Sequence, residues 1–242
     1  AYALNGGSII IDKILLNKAL PNPFIYTFYI SILGLLTIFL IPFGVTFESL
    51  PIILAVFSGI FFVFGLLTSF QALIKSEASV VGPVVGALNP LFTLILGSIF
   101  LAEMLSPSQT MAFFVIIFGA LILTLNQLLA NFKFNKQLLL IILSGLMFAL
   151  SYILLRQSFL ASNFLTGLIF SRIGAGIFVI LFLLLPKIRA QIFVSNLSQN
   201  HFKNFTTTLL FVGQFIGAGS GLLINFAVSM ANPALVNALF GV

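Results

Sequence analysis

The chain has 242 residues, of which 61% are hydrophobic and only 6% are charged, and its mean hydropathy is +1.27. A soluble domain needs about 25% charged residues to hydrate its surface. The composition therefore excludes a soluble globular protein and predicts an integral membrane protein with the lipid bilayer as its partner. Ten Lys and Arg against four Asp and Glu give a net charge of +6. Such an excess is typical of cytoplasmic membrane-protein loops, and we predict no nucleic-acid partner.

The sequence carries no pattern that indicates catalysis or metal binding. It has no cysteine, which excludes disulfides, thiol catalysis and thiolate metal sites. The single histidine, His201, stands in a polar stretch that we read as a loop, and it cannot build a metal site alone. No nucleotide-binding Gly-Lys loop, acidic pair or Ser–His set is present. We therefore predict no enzyme activity, no catalytic residue, no cofactor and no metal.

Apolar stretches long enough to cross a ~30 Å hydrocarbon core recur between short polar breaks, and they predict helices because lipid leaves no other partner for the backbone. Nine such spans are predicted, over residues 1–16, 24–41, 50–74, 78–101, 109–129, 138–155, 164–185, 205–228 and 232–242. The breaks fall at prolines and polar pairs, of which Pro42 and Pro186-Lys187 are examples. The chain starts without Met in an apolar run, and its last span is short. We expect the native protein to extend past both ends.

The two halves of the chain align weakly with each other. Phe70-Gln71-Ala72 corresponds to Ile224-Asn225-Phe226, at a separation of about 150 residues. The alignment predicts a first repeat over residues 1–131 and a second over 136–242. Each repeat would hold five helices, and an odd number of helices inverts the second copy across the membrane. The predicted fold is therefore an all-α polytopic bundle of two inverted five-helix repeats, with about nine of ten helices present and the last truncated.

Several motifs of the chain resemble the EamA-type repeat of the drug/metabolite transporter superfamily. In the first half these are Ala87-Leu88-Asn89-Pro90-Leu91-Phe92, Ala102-Glu103-Met104-Leu105 and Phe118-Gly119-Ala120-Leu121-Ile122. In the second half, Phe170-Ser171-Arg172 and Asn232-Pro233-Ala234-Leu235-Val236 resemble the starts of the second and fourth helices of a repeat. The resemblance implies ten helices in two inverted repeats that export or exchange small metabolites.

The sequence departs from this family pattern in two places. The tenth helix and part of the ninth are absent. The arginine expected in the second helix of the first repeat is replaced by apolar and tyrosine residues around Tyr26 and Tyr29. A symmetric role for that arginine is therefore not expected.

Arg172 lies about eight residues inside an apolar span, where a charge costs about 2.5 to well over 10 kcal/mol unless it faces a cavity or a partner. We interpret it as a cationic contact for an anionic or carboxylate-bearing substrate. The alternative is a structural hydrogen bond to backbone carbonyls, or a side chain that snorkels to the interface.

Further polar residues and prolines are candidates for a substrate path. Amides within apolar runs must find partners inside the bundle, and with Arg172 they form the predicted path: Asn5, Gln71, Asn89, Gln214, Asn225 and Asn237. Each amide could equally be a helix-to-helix hydrogen bond. Prolines in spans free a carbonyl and kink the helix, and we predict kinks at Pro83, Pro90 and Pro233.

The acids give no prediction of proton coupling, because all four are read as lying at or near span ends: Asp12, Glu48, Glu77 and Glu103. The basic residues give conflicting indications of orientation. One side receives Lys13, Lys18, Lys75, Lys133, Lys136, Lys187, Arg189 and Lys203, whereas the other receives only Arg156. The charge rule makes the Lys-rich side cytoplasmic, while the family resemblance implies the reverse, so the orientation stays open.

The leading functional prediction is a secondary transporter, an exporter or exchanger, that moves a small polar metabolite by alternating access. We expect a multi-pass protein of a bacterial or archaeal plasma membrane, and the sequence leaves open whether two copies form a homodimer. The alternative is a non-transporting scaffold or receptor-like bundle. That alternative predicts interior amides paired between helices and no cavity, whereas a transporter requires a polar cavity between the halves.

Overall fold

The computed structural model describes residues 1–18, 22–101, 105–131, 136–194 and 200–239, with side chains except at 18, 120–131, 193–194 and 200–207. Glu103, Lys133 and the side chains of Lys18 and Lys203 thus lie outside the described residues. The described part contains helices and no strand: α1 (Tyr2–Lys18), α2 (Pro23–Gly34), α3 (Ser49–Lys75), α4 (Ala78–Phe100), α5 (Pro107–Asn131), α6 (Lys136–Ala161), α7 (Phe164–Ile180), α8 (Pro186–Val194), α9 (Asn200–Met230) and α10 (Pro233–Ala238). Tight 3₁₀ segments continue α2 over Leu35–Phe43 and α7 over Leu181–Leu184.

The prediction of an all-helical polytopic membrane bundle is confirmed. Within the described residues, six helical stretches are long and apolar enough to cross a bilayer: Pro23–Phe43, Ser49–Lys75, Ala78–Phe100, Lys136–Ala161, Phe164–Leu184 and Thr208–Met230. Large apolar side chains such as Phe39, Phe57 and Phe215 remain exposed on these helices. An exposed apolar surface of this extent needs lipid as its solvent.

Three local predictions are corrected by the structure. The predicted break at Pro186 is present, since the seventh span ends at Leu184 and Pro186 begins the separate helix α8, where a proline at the first position loses no hydrogen bond. For the same reason Pro233 begins α10 and does not kink a helix, whereas Pro83 and Pro90 lie inside the continuous α4. Pro42 lies inside a 3₁₀ segment, and His201 lies in the first turn of α9 and not in a loop.

Serine hydroxyls join α3 to α6 along much of their length. The Ser158 hydroxyl donates to the Pro51 carbonyl at 2.8 Å, and the Ser144 hydroxyl donates to the Gly65 carbonyl at 2.9 Å. Because the later residue of α6 pairs with the earlier residue of α3, the two helices run antiparallel. All four residues are buried, so these bonds satisfy hydroxyls that lipid could not.

A crossing of α3 and α7 brings two backbones into direct contact. A Cβ atom on Gly59 would lie 1.9 Å from the Ser171 carbonyl oxygen, and one on Gly174 would lie 2.2 Å from the Val56 carbonyl oxygen. Only glycine permits this approach, which is the known role of small residues between membrane helices. The crossing fixes α7 against the middle of α3.

Two basic side chains donate hydrogen bonds to carbonyl groups at the C-terminal ends of α3 and α9. The Lys13 ammonium on α1 donates to the Ser76 carbonyl just after α3, at 2.7 Å. The Arg156 guanidinium on α6 donates to the carbonyls of Val228, at 3.0 Å, and Ser229, at 2.7 Å, near the end of α9. Arg156 was assigned to a loop but is buried in α6, because that helix extends to residue 161. Both contacts satisfy carbonyls that lack a partner within their helix.

Replacing Gly59 with Ala should destabilise the protein, because the new methyl group collides with the Ser171 backbone and forces the helices apart. We expect a loss of about 1–3 kcal/mol or more, seen as a lower midpoint of thermal unfolding in detergent. Gly219→Ala is the matched control, since nothing lies within 4 Å of a Cβ at that helical position. Equal unfolding midpoints for the two variants would contradict the proposed tight crossing.

Candidate functional site

A polar pocket opens where α3 meets α6, α7 and α9. The space inside it that could hold solvent is about 20 Å³, enough for about one water molecule. Its lining comprises Ser58, Gly59, Phe62, Ser151, Tyr152, Leu155, Ser171, Arg172 and Asn225. Ligand pockets usually measure about 300–1,000 Å³, so this space would have to widen to admit a metabolite.

Arg172 supplies the charge of the pocket. Its guanidinium carbon lies 4.9 Å from the centre of the Phe62 ring, a distance typical of a cation–π contact. The Arg172 side chain also lies close to two glycines of other helices. Its Cδ is 3.4 Å from where a Cβ atom on Gly34 of α2 would lie, and its Nη2 is 3.7 Å from where a Cβ atom on Gly221 of α9 would lie. In the described part of the chain we find no hydrogen-bond acceptor or carboxylate paired with it. A guanidinium has five N–H donors, so this one can still receive an anion.

Two further polar groups of the pocket have no hydrogen bond to another described residue. Tyr152 on α6 is 9% exposed and its hydroxyl interacts electrostatically with Arg172. Asn225 on α9 is 5% exposed. The pocket serines differ, since Ser58 donates to the Ser151 carbonyl at 2.9 Å and Ser171 donates within its own helix. The groups left to bind a ligand are therefore a guanidinium, a phenol and an amide.

This arrangement suits recognition of an anion next to polar substituents. A guanidinium fork matches the two oxygens of a carboxylate, and its attraction is strong where water is scarce. The amide and the phenol can donate to or accept from neighbouring hydroxyl, amine or carbonyl groups. The nearby Phe62 and Leu155 give the pocket an apolar wall.

The seven predicted path residues divide into separate places. Arg172 and Asn225 lie together in the pocket. Asn89 and Asn237 are buried between α4 and α10, where the Thr93 hydroxyl donates to Asn89 at 3.1 Å and the Asn237 amide donates to Thr93 at 3.4 Å. The Asn237 bond joins two helices, as in the alternative interpretation, whereas the bond between Thr93 and Asn89 lies within α4.

The other three amides also lie outside the pocket lining. Gln214 on α9 lies beside the Tyr26 hydroxyl of α2. Asn5 and Gln71 are half-buried on α1 and α3. The amides therefore do not form one continuous path in this conformation.

The structure adds site residues that sequence reasoning missed. Phe62 and Tyr152 are two aromatics in apolar runs, and nothing in the sequence distinguishes them from residues of the core. Asp12 is different, because a lone acid inside an apolar stretch is itself a signal. Asp12 was read as lying near a span end, but it is buried inside α1 and accepts a hydrogen bond from the buried Tyr26 hydroxyl.

A polar pocket at the junction of several membrane-spanning helices is a feature that membrane transporters share. The sequence profile of the EamA-like transporter family matches residues 2–125, slightly more than half of the chain. The chain belongs to this family, and it is a multi-pass membrane transporter of the drug/metabolite superfamily. A search of curated proteins finds no significant match.

The chain has no native cysteine, so a single introduced thiol can report whether the pocket is reachable from water. We expect a water-soluble thiol reagent to label Asn225→Cys in membranes, because Asn225 lines the pocket. The matched control is Asn237→Cys, which should stay unlabelled because Asn237 is 0% exposed between α4 and α10. Labelling of both cysteines at the same rate, or of neither, would contradict the assigned pocket.

Proposed function

We propose that this protein is a secondary transporter, an exporter or exchanger, that moves small carboxylate-bearing metabolites across a bacterial or archaeal plasma membrane. The observation that carries the proposal is the Arg172 guanidinium in the pocket, with no anion from the described chain to neutralise it. Because an unpaired charge in a membrane protein is costly, a substrate anion is its expected partner.

Matching features of residues 1–131 and 136–242 support the assignment of two repeats. Asn22 accepts a hydrogen bond at the start of α2, and Asn163 does the same at the start of α7. The Lys13 and Arg156 contacts likewise link the first helix of each proposed repeat to the end of its third helix. We propose that the two units are inverted copies that move against each other.

The two sides of the pocket are packed differently. On one side α3 and α7 touch backbone to backbone at Gly59 and Gly174. On the other side α2 and α9 approach each other mainly through side chains, including the contact of Tyr26 with Gln214 and the Arg172 side chain between both helices. In alternating access, each end state of a transporter is closed on one side of the binding site and able to open on the other. The tight α3–α7 contact and the looser α2–α9 contact fit such a state. We propose that substrate enters between α2 and α9.

The test is transport by the purified chain in sealed proteoliposomes, offered a mixture of small carboxylates, amino acids, nucleotides and sugars that mass spectrometry detects after uptake. Carboxylate-bearing compounds should accumulate selectively. Arg172→Gln should reduce their uptake about tenfold or more, because a hydrogen bond to a charged group contributes about 1.5–3 kcal/mol.

Arg189→Gln is the matched control, since it removes the same charge from the exposed face of α8, away from the pocket lining. Its uptake should equal that of the parent protein. No movement of any compound by protein that is shown to be folded would favour the scaffold alternative. Selective carboxylate uptake that survives in Arg172→Gln would remove Arg172 from the substrate path.

A further inference from the structure

We infer that Asp12 is a proton-binding site, and that its protonation couples a proton to each anion carried by Arg172. The inference rests on the proposed function for its anion, and on a separate side-chain cluster for its proton. That cluster consists of Asp12, Tyr26 and Gln214, which we call the α1–α2–α9 cluster.

The α1–α2–α9 cluster holds its carboxyl group in a nearly dry place. Asp12 is 9% exposed and Tyr26 is 0% exposed. The Tyr26 hydroxyl donates to Asp12 Oδ1, and its ring packs 4.8 Å from the centre of the Phe70 ring. The Gln214 amide lies on the other side of the same hydroxyl. The hydrogen bond from Tyr26 is the only one that the Asp12 carboxyl group receives from the described residues.

No cation of the described chain compensates Asp12. Its sequence neighbour Lys13 instead donates to the Ser76 carbonyl at the end of α3. The described α9 side chains carry no charge. The other titratable or charged groups on the elements packed around the cluster are the Ala1 ammonium and Tyr2 at the start of α1, Tyr29 on α2, the exposed Lys75 on α3, the exposed Glu48 and Glu77 before α3 and α4, Arg172 on α7, and Lys18, whose side chain is not described. An ionised carboxylate so placed is costly, and uptake of a proton removes that cost.

The cluster and the substrate pocket lie along the same contact between α2 and α9. On α9, Gln214 lies beside Tyr26, and Gly221 lies beside Arg172. These two α9 residues are two helical turns apart, which is about 10 Å at 1.5 Å per residue. On α2, Tyr26 lies beside Asp12 and Gly34 lies beside Arg172, and these two α2 residues are about 12 Å apart along the helix axis. Parting of α2 from α9 would therefore open Asp12 and Arg172 to water together.

The balance of charge between Asp12 and Arg172 couples binding of the proton to binding of the anion. With the site empty, Asp12 carboxylate and Arg172 guanidinium sum to zero. With both a proton and a monovalent anion bound, Asp12 is a neutral acid and Arg172 is neutralised, so the sum is again zero. Either one alone leaves a net unit charge, which costs most when the helices close and exclude water. The closed states are therefore the empty one and the doubly loaded one.

The resulting cycle moves one proton and one anion in the same direction. On one side Asp12 carboxylate takes a proton from hydronium and leaves water; on the other side the acid returns that proton to water. Transfer of one positive and one negative charge is electrically neutral. Uptake should therefore follow an imposed pH gradient and ignore an imposed membrane potential.

The transport experiment uses proteoliposomes with the same metabolite mixture, with an acidic exterior or with an imposed potential. Parent protein should show uptake driven by the pH gradient. Asp12→Asn, which is permanently neutral, should lose gradient-driven net uptake yet keep exchange of external for internal substrate, because the loaded carrier can still cross. Glu48→Gln is the matched control, as Glu48 is exposed before α3. Unchanged gradient-driven uptake in Asp12→Asn would overturn the inference.

A second measurement needs no transport. Difference infrared spectra recorded during a pH titration in lipid should show a carboxylic-acid C=O band that Asp12→Asn lacks and Glu48→Gln retains. If Asp12→Asn does not fold, Tyr26→Phe keeps the carboxyl group, removes its hydrogen-bond donor and should shift both that band and the pH dependence of uptake. Transport without either effect overturns the proton site alone. A protein that moves no compound but shows the Asp12 band contradicts the proposed function and supports the proton site.

Discussion

The crossing of α3 and α7 is the contact on which the rest of the site depends. Gly59 and Gly174 let the two backbones touch, with ideal Cβ positions 1.9 and 2.2 Å from carbonyl oxygens of the other helix. The pocket forms immediately beside this crossing, since Ser58 and Phe62 come from α3 and Ser171 and Arg172 come from α7. If larger residues separated α3 from α7, the Arg172 guanidinium would move away from the Phe62 ring. The small residues thus determine the position of the charge.

Lipid imposes the second constraint, because each buried polar group must find a partner inside the chain. Most do so in ordinary ways: Ser144 and Ser158 donate to α3 carbonyls, Asn237 donates to Thr93, and Arg156 closes the end of α9. Arg172 and Asp12 stand out against this background. Both can carry a full charge. The described chain offers Arg172 the Phe62 ring face and the nearby Tyr152 phenol, and it offers Asp12 one hydroxyl. Exceptions of this kind mark functional positions in membrane proteins.

These two exceptions lie along the same contact between α2 and α9, which is where we propose that the helices move. In the proposed cycle, closing the helices over a net charge costs more than closing them over charges that sum to zero. Substrate binding at Arg172 together with proton binding at Asp12 would then allow closure, whereas either one alone would oppose it. The backbone contact between α3 and α7 can hold the opposite side shut meanwhile.

The sequence by itself determined the membrane environment, the all-helical fold and the family, because these follow from composition, span length and motifs in a single segment, and it predicted Arg172 as a site residue from its charge inside an apolar span. It misassigned Pro233 as a kink, since a proline inside a helix and one at its first turn cannot be distinguished by residue type alone. It also could not sort the amides: Asn225 reaches the pocket and Asn237 does not, although both stand in apolar runs. Tyr26 was noted only as a departure from the family pattern, and Asp12 only as a span-end acid. Their pairing joins two helices with Gln214 of a third, and only tertiary packing decides which faces of separate helices meet.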